Sequence, residues 1–142
     1  MTNTQIKMET NKAVVAEVEN FIKNFDGARD SFLNGNCYYF ALILDERFWN
    51  FYSTNIAYNQ IDNHFAMVVF VKYADGTNTP LLFDASGCIG PMTEQWKIWQ
   101  EYCLEEPYDG ARVYRDCIWK MPEEEWMKLK PSFRKRPWMT TI

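Results

Sequence analysis

Apolar positions follow several distinct rhythms along the chain. Between Lys12 and Phe25, Val14, Val15, Val18, Phe21, Ile22 and Phe25 return at helical spacing, while Glu17, Glu19 and Lys23 fall elsewhere. This pattern predicts an amphipathic helix over 12–25, with Asn11 as N-cap and Asp26-Gly27 as its stop. The next segment differs in kind. Tyr38 through Leu44 is apolar almost all round, and polar residues return only at Asp45, Glu46 and Arg47. A helix over 37–49 with this character is a central, buried one, and Asn34, Gly35 and Asn36 supply its turn and cap residues.

Period two takes over later. Phe65 to Tyr73 is apolar at both parities, which predicts an interior strand over 65–73 covered on both faces. Asn50 to Asn63, before it, reads as a polar and aromatic connection bordering a cleft. Ala74-Asp75-Gly76 is a hairpin turn signal, and the returning strand spans 80–84, ending at Asp84-Ala85-Ser86-Gly87. Trp96, Trp99 and Cys103 share one stripe of a predicted helix over 93–104. Alternation over 112–119 predicts another strand, and Pro122 opens a short helix over 122–128. These elements describe one α+β domain over 1–142, with the cysteine-bearing helix packed on a small antiparallel sheet.

A length of 142 residues suits a single core burying roughly two-thirds of the unfolded surface. Aromatic residues make up 17% of the chain, enough to leave rings for a binding surface once the core is filled. The net charge of −4 argues against nucleic acid as the main partner. Lys128, Lys130, Arg134, Lys135 and Arg136 make the tail basic, a solvated end or a contact for an acidic partner. The longest apolar stretch, Cys37 to Leu44, is too short to span a bilayer, and Met1 to Asn11 has no apolar run. A cytoplasmic protein without membrane contact is expected. Cysteines stand at 37, 88, 103 and 117 without a C-x-x-C pair, and His64 is the single histidine. That spacing argues against zinc and, in a cytoplasmic setting, for free thiols. No cofactor is expected.

Candidate chemistry gathers at three of these positions. Cys37 opens the buried helix, where the partial positive charge of a helix N-terminus favours a thiolate. His64 opens the interior strand, and Asp84 closes the strand after it. Nucleophile, general base and orienting carboxylate are the parts that thiol acyl transfer needs. Their meeting depends on register. If Ala74-Asp75-Gly76 is a three-residue loop, Tyr73 faces Thr77 and Asp84 faces Ala66, which shares a parity with His64. Asp84 and His64 are then diagonal neighbours on one face. A loop running to Thr79 moves Asp84 opposite Val69 and breaks the pairing. Asn36 and Tyr38 flank the thiol as candidates for the oxyanion site and cleft. Taken singly, each residue has a plainer reading: a buried helix-start cysteine, a capped strand-edge histidine and an Asx turn at Asp84.

Gly35-Asn36-Cys37-Tyr38 with Phe40-Ala41-Leu42, then His64-Phe65-Ala66-Met67-Val68, then Leu82-Phe83-Asp84-Ala85-Ser86-Gly87 resemble the papain-like and transglutaminase-like superfamily of cysteine enzymes. The order is also similar to that of arylamine N-acetyltransferases. With Arg115-Asp116-Cys117-Ile118 added, the pattern looks like small proteins of Gram-positive bacteria and their phages. The resemblance covers about Ser31 to Gly90. It implies a papain-like core and a Cys37-His64-Asp84 triad. The chain departs from papain-like enzymes where they carry an oxyanion-hole glutamine; Ser31, Asn34 and Asn36 stand nearby instead. No tryptophan of the kind many transglutaminase-like enzymes carry after the histidine region is obvious.

Two functions follow. One is a thiol-dependent acyl-transfer enzyme (a cysteine peptidase, amidase, deamidase or transglutaminase-like catalyst) acting on a protein or peptide-like amide. The other is a catalytically silent binding protein on the same fold, such as a phage-encoded inhibitor of a host defence protein, using surplus Trp and Tyr as hot spots.

Overall fold

The computed structural model describes residues 1–25, 32, 36–124 and 127. Within them the chain is mixed α+β. Helix α1 spans Asn3–Asn24 and α2 spans Cys37–Phe48. Five strands follow: β1 Ser53–Asn59, β2 His64–Lys72, β3 Asn78–Asp84, β4 Gly87–Pro91 and β5 Trp96–Ile98. They form one antiparallel sheet in the order β4-β3-β2-β1-β5. Helices α3 (Trp99–Glu105) and α4 (Pro107–Val113) lead into a π-helical turn over Tyr114–Ile118.

Strand β2 is buried on both faces, as its unbroken apolar run requires. Met67, Val69 and Val71 pack with Phe40, Ile43, Leu44 and Phe48 of α2 and Val14, Val18 and Ile22 of α1. On the opposite parity, Ala66 and Val68 join Ala57 and Leu82 beneath Met92, Trp96 and Ile98. Arg47, placed by its sequence among returning polar residues, is instead buried and lies over the rings of Phe21 and Phe48 at 5.4 and 5.0 Å. A planar guanidinium suits such aromatic faces better than an ammonium does.

Several elements differ from the sequence expectations, each for a local reason. Helix α1 starts nine residues before Lys12, because Thr2 and Gln5 form a capping box. Gln5 N–H donates to Thr2 Oγ1 (3.1 Å), and Thr2 N–H donates to Gln5 Oε1 (2.8 Å). Asn11 is thus interior rather than a cap, and accepts a hydrogen bond from the Tyr73 hydroxyl. The expected connection over 50–63 contains β1, which pairs with β2 along its whole length. Strand β4 was hidden by its Gly and Pro content; it runs at the sheet edge beyond a bulge at Leu82/Phe83. The predicted helix 93–104 begins only at Trp99, because Trp96–Ile98 pairs with β1. The predicted strand 112–119 is helical. Val113 and Ile118 are buried five residues apart, and Trp119 N–H bonds Tyr114 C=O, the spacing of a π-turn rather than of a strand. Residues 125, 126 and 128 of the predicted 122–128 helix and the basic tail fall outside the described residues; Glu123, Glu124 and Met127 are helical.

The β2–β3 hairpin has the short turn. Tyr73 N–H bonds Thr77 C=O (3.0 Å), Gly76 N–H bonds Tyr73 C=O (3.1 Å), and Met67 pairs with Phe83. Asp75 caps the turn by accepting from Thr77 N–H, and the early turns of α1 grip it through Lys7 Nζ (2.7 Å) and Asn3 Nδ2 (3.3 Å). Gly76 has φ +86°, with open space where a Cβ would stand. Gly76→Ala therefore meets backbone strain alone and is expected to cost about 1–2 kcal/mol in urea denaturation; an unchanged midpoint contradicts the turn.

Candidate active site

The site lies where α2 begins and β2 enters the sheet. Cys37 is the first residue of α2, whose opening backbone N–H groups have no partner within the helix. Asn36 precedes it as N-cap, its carbonyl accepting from Tyr39 N–H (3.1 Å) and Phe40 N–H (3.3 Å). The half-buried thiol hydrogen-bonds the His64 ring and receives the backbone N–H groups of Phe65 and Tyr38. Tyr38 thus reaches the sulfur through its main chain, while its ring packs on Phe65 at 5.1 Å and Tyr39 at 5.6 Å.

His64 is held from the other side as well. Its Nε2 lies 2.9 Å from Asp84 Oδ2, so Nδ1 is the nitrogen left for the thiol. The register agrees: residues of β2 and β3 pair with a sum of 150, which sets Asp84 diagonal to His64 on one face. Asp84 is buried, and its second oxygen accepts from Ser86 N–H (2.8 Å) and Ser86 Oγ. Asp84 makes the Asx-turn contacts and the His64 contact at once, because each uses a different carboxylate oxygen. Gly87 completes the turn at φ +112°, and a Cβ there would fall 2.6 Å from Glu19 Oε2. The positive φ is what favours glycine here, since the Glu19 carboxylate is the far end of a flexible side chain and can move aside.

These contacts set the protonation states. Burial alone raises the Cys37 thiol, but the His64 hydrogen bond, Phe65 N–H, the His64 charge and Tyr38 N–H outweigh it, and its pKa is lowered. The Asp84 hydrogen bond, followed by that of Cys37, pushes His64 up to about 9 against the effect of burial. Burial also opposes ionisation of Asp84, yet His64 and Ser86 hold its pKa below the ordinary carboxylate value. All three shifts act in the same sense, favouring the thiolate, imidazolium and carboxylate forms over the neutral ones.

Three residues near the triad were not singled out from the sequence. Trp96 packs edge-on against His64, with ring centroids 6.0 Å apart at 70°. It comes from β5, the strand that the sequence assigned to a helix, so no local signal placed it here. Ser86 had only its place after Asp84 as a signal. Asn63 belongs to the Asn59-x-x-Asp62-Asn63 run of turn formers, where Asn59 Oδ1 accepts from Ile61 N–H (3.0 Å) and Asp62 N–H (3.2 Å). Ser31 and Asn34 lie outside the described residues. All four cysteines are free thiols, and among the described residues no three His, Cys, Asp or Glu side chains gather as a metal site. No described helix is long and apolar enough to cross a membrane.

No family model, curated protein or solved structure matches the chain.

The ion pair predicts a distinctive pH profile. Alkylation of Cys37 by iodoacetamide is expected to show a first inflection below the ordinary thiol value and a second near 9, where His64 loses its proton. Asp84→Asn is expected to lower the second inflection and raise the first. A single inflection at an ordinary thiol value in the native chain contradicts the pairing.

Proposed function

We propose that the protein is a thiol-dependent acyl-transfer enzyme with a papain-like or transglutaminase-like core, in which Cys37 is the nucleophile, His64 the general acid and base, and Asp84 the orienting carboxylate. The observation that carries this reading is the double tether of His64, with one ring nitrogen on Asp84 and the other facing the Cys37 thiol. A structural histidine needs no thiolate partner at a helix start.

The chemistry follows from the geometry. The Cys37 thiolate attacks the carbonyl carbon of an amide, forming an S–C bond while the carbonyl π electrons move to oxygen. The N–H of Cys37, at the positive end of α2, stabilises that oxyanion, with Asn36 beside it; one such donor contributes about 3 kcal/mol in known cases. The C–N bond then breaks, and the imidazolium gives its proton to the departing nitrogen. Water or an amine next attacks the thioester, the now neutral imidazole takes the attacking group's proton, and the thiolate leaves. Asp84 stabilises the imidazolium and keeps the ring aligned at both stages.

Peptidase, amidase, deamidase and transferase activity share these steps and differ in which acyl donor and acceptor reach the thiol. A groove of about 390 Å³ lined by Tyr39, Tyr114, Trp119, Met121, Pro122 and Glu123 shares Tyr39 with α2 but is not lined by Cys37, His64 or Asp84, so it does not choose among these donors. Exposed Trp119 and Tyr114, 6.1 Å apart, favour the second reading, a binding protein that uses this fold without turnover.

An activated ester such as p-nitrophenyl acetate separates the two. The enzyme reading predicts a burst of nitrophenolate and an acyl group on Cys37 detected by mass spectrometry. It predicts loss of both in Cys37→Ala and a slowing of about 10²–10⁴-fold in His64→Ala. A native chain that acylates no faster than its His64→Ala variant, with both folded, rules out the enzyme and leaves the binding protein.

A further inference from the structure

We infer that Asn63 is a positioning residue for His64, acting through a hydrogen-bonded bridge to Tyr58 and Cys117; the inference rests on the acyl-transfer reading of the same site. Asn63 directly precedes His64 and is the only non-glycine residue with positive φ among those described, at +50°. Asparagine tolerates this left-handed conformation better than most side chains do. Here it turns the chain out of the β1–β2 loop and into β2, so its backbone angles decide how the His64 Cα and the Phe65 N–H enter the site.

The side chain of Asn63 is anchored at both ends. Its Oδ1 accepts from the Tyr58 hydroxyl at 2.8 Å, and its Nδ2 donates to Cys117 Sγ at 3.1 Å. Tyr58 is fully buried and pairs in register with Phe65, the residue whose N–H reaches the Cys37 sulfur. Burial, followed by the Asp109 charge, raises the Tyr58 phenol to about 12, so it remains a donor wherever the site works. Cys117 sits on the π-turn and packs in the same aromatic cluster as Cys37, Tyr38 and Trp99. The bridge therefore ties three elements to one peptide: β1 through Tyr58, the π-turn through Cys117, and the start of β2 through the backbone of Asn63 itself. Cys117 is thus a hydrogen-bond acceptor, on a π-turn that buries Val113 and Ile118 while leaving Cys117 beside Asn63.

An alternative structural role, in which Asn63 only stabilises the loop, predicts altered stability with an unaltered site. Asn63→Gly separates the two because glycine accepts the positive φ but makes neither bridge contact. The expected result is a folded protein by circular dichroism whose Cys37 alkylation at neutral pH is about tenfold slower, since small misplacement of a reacting group has a steep effect. The second inflection of its pH profile, near 9 in the native chain, is expected to fall. Cys117→Ala removes one end of the bridge and is expected to give a smaller change in the same direction, with Cys117→Ser, which keeps an acceptor, closer to native. The inference is overturned if the native chain shows both inflections and Asn63→Gly and Cys117→Ala retain them with undiminished rate. If Asn63→Gly fails to fold, the Cys117 pair decides: an alanine variant indistinguishable from native in rate and profile overturns it. A native chain lacking the low first inflection instead overturns the acyl-transfer reading itself.

Discussion

The register of the β2–β3 hairpin is the constraint on which the site depends. Side chains on a strand alternate faces, so a slip of one residue would carry Asp84 to the face opposite His64 and leave a carboxylate buried without its partner. The turn that fixes this register is small, and it is braced from outside the sheet. Asp75 accepts from Thr77 within the turn, and Lys7 and Asn3 of α1 hold the same side chain. Lys7 above all, then Thr77, keeps the Asp75 carboxyl well below the usual carboxylate range. The capping box at Thr2 thereby acquires a second consequence. By starting α1 early it extends the helix to the hairpin tip, far from the thiol that the hairpin serves.

A second constraint follows from burial. His64 and Asp84 sit on the face of the sheet covered by Met92, Trp96 and Ile98, while α2 packs on the other face. The thiol therefore meets the imidazole around the end of β2 rather than across the sheet. That placement explains the contact between Cys37 and the Phe65 N–H, the first amide beyond His64. It also leaves His64 more open than its partner, the His64 side chain being 23% exposed against 10% for Asp84.

How much of this was legible in the sequence depended on whether the signal was local. The all-round apolarity of Tyr38 to Leu44 and the two-sided apolarity of Phe65 to Tyr73 depend only on the residues themselves, and both elements stand where those patterns put them. The His64–Asp84 pairing was legible because turn chemistry at Asp75-Gly76 and the period of two suffice to derive a register. Strand β5 was not, since three residues cannot outweigh the helical stripe of Trp96, Trp99 and Cys103; only the edge offered by β1 makes them a strand. With β5 went Trp96, the ring packed against the histidine. The segment 112–119 failed for a different reason. A five-residue interval between buried Val113 and Ile118 fits neither of the two periods that sequence reading tests, so its apparent alternation was misread. Cys117 and Asn63, joined across 54 positions, had no shared sequence signal.

The proposed chemistry requires His64 to hold its proton between the Cys37 sulfur and the Asp84 carboxylate. Because it is the chain's only histidine, its ring resonances can be followed without assignment ambiguity. Titration by carbon-detected NMR in the native chain is predicted to give an inflection near 9, and to give a markedly lower one in Asp84→Asn, where the largest stabilising contact is weakened. An inflection at the ordinary imidazole value of 6.5 in the native chain, unmoved by that substitution, would contradict the account.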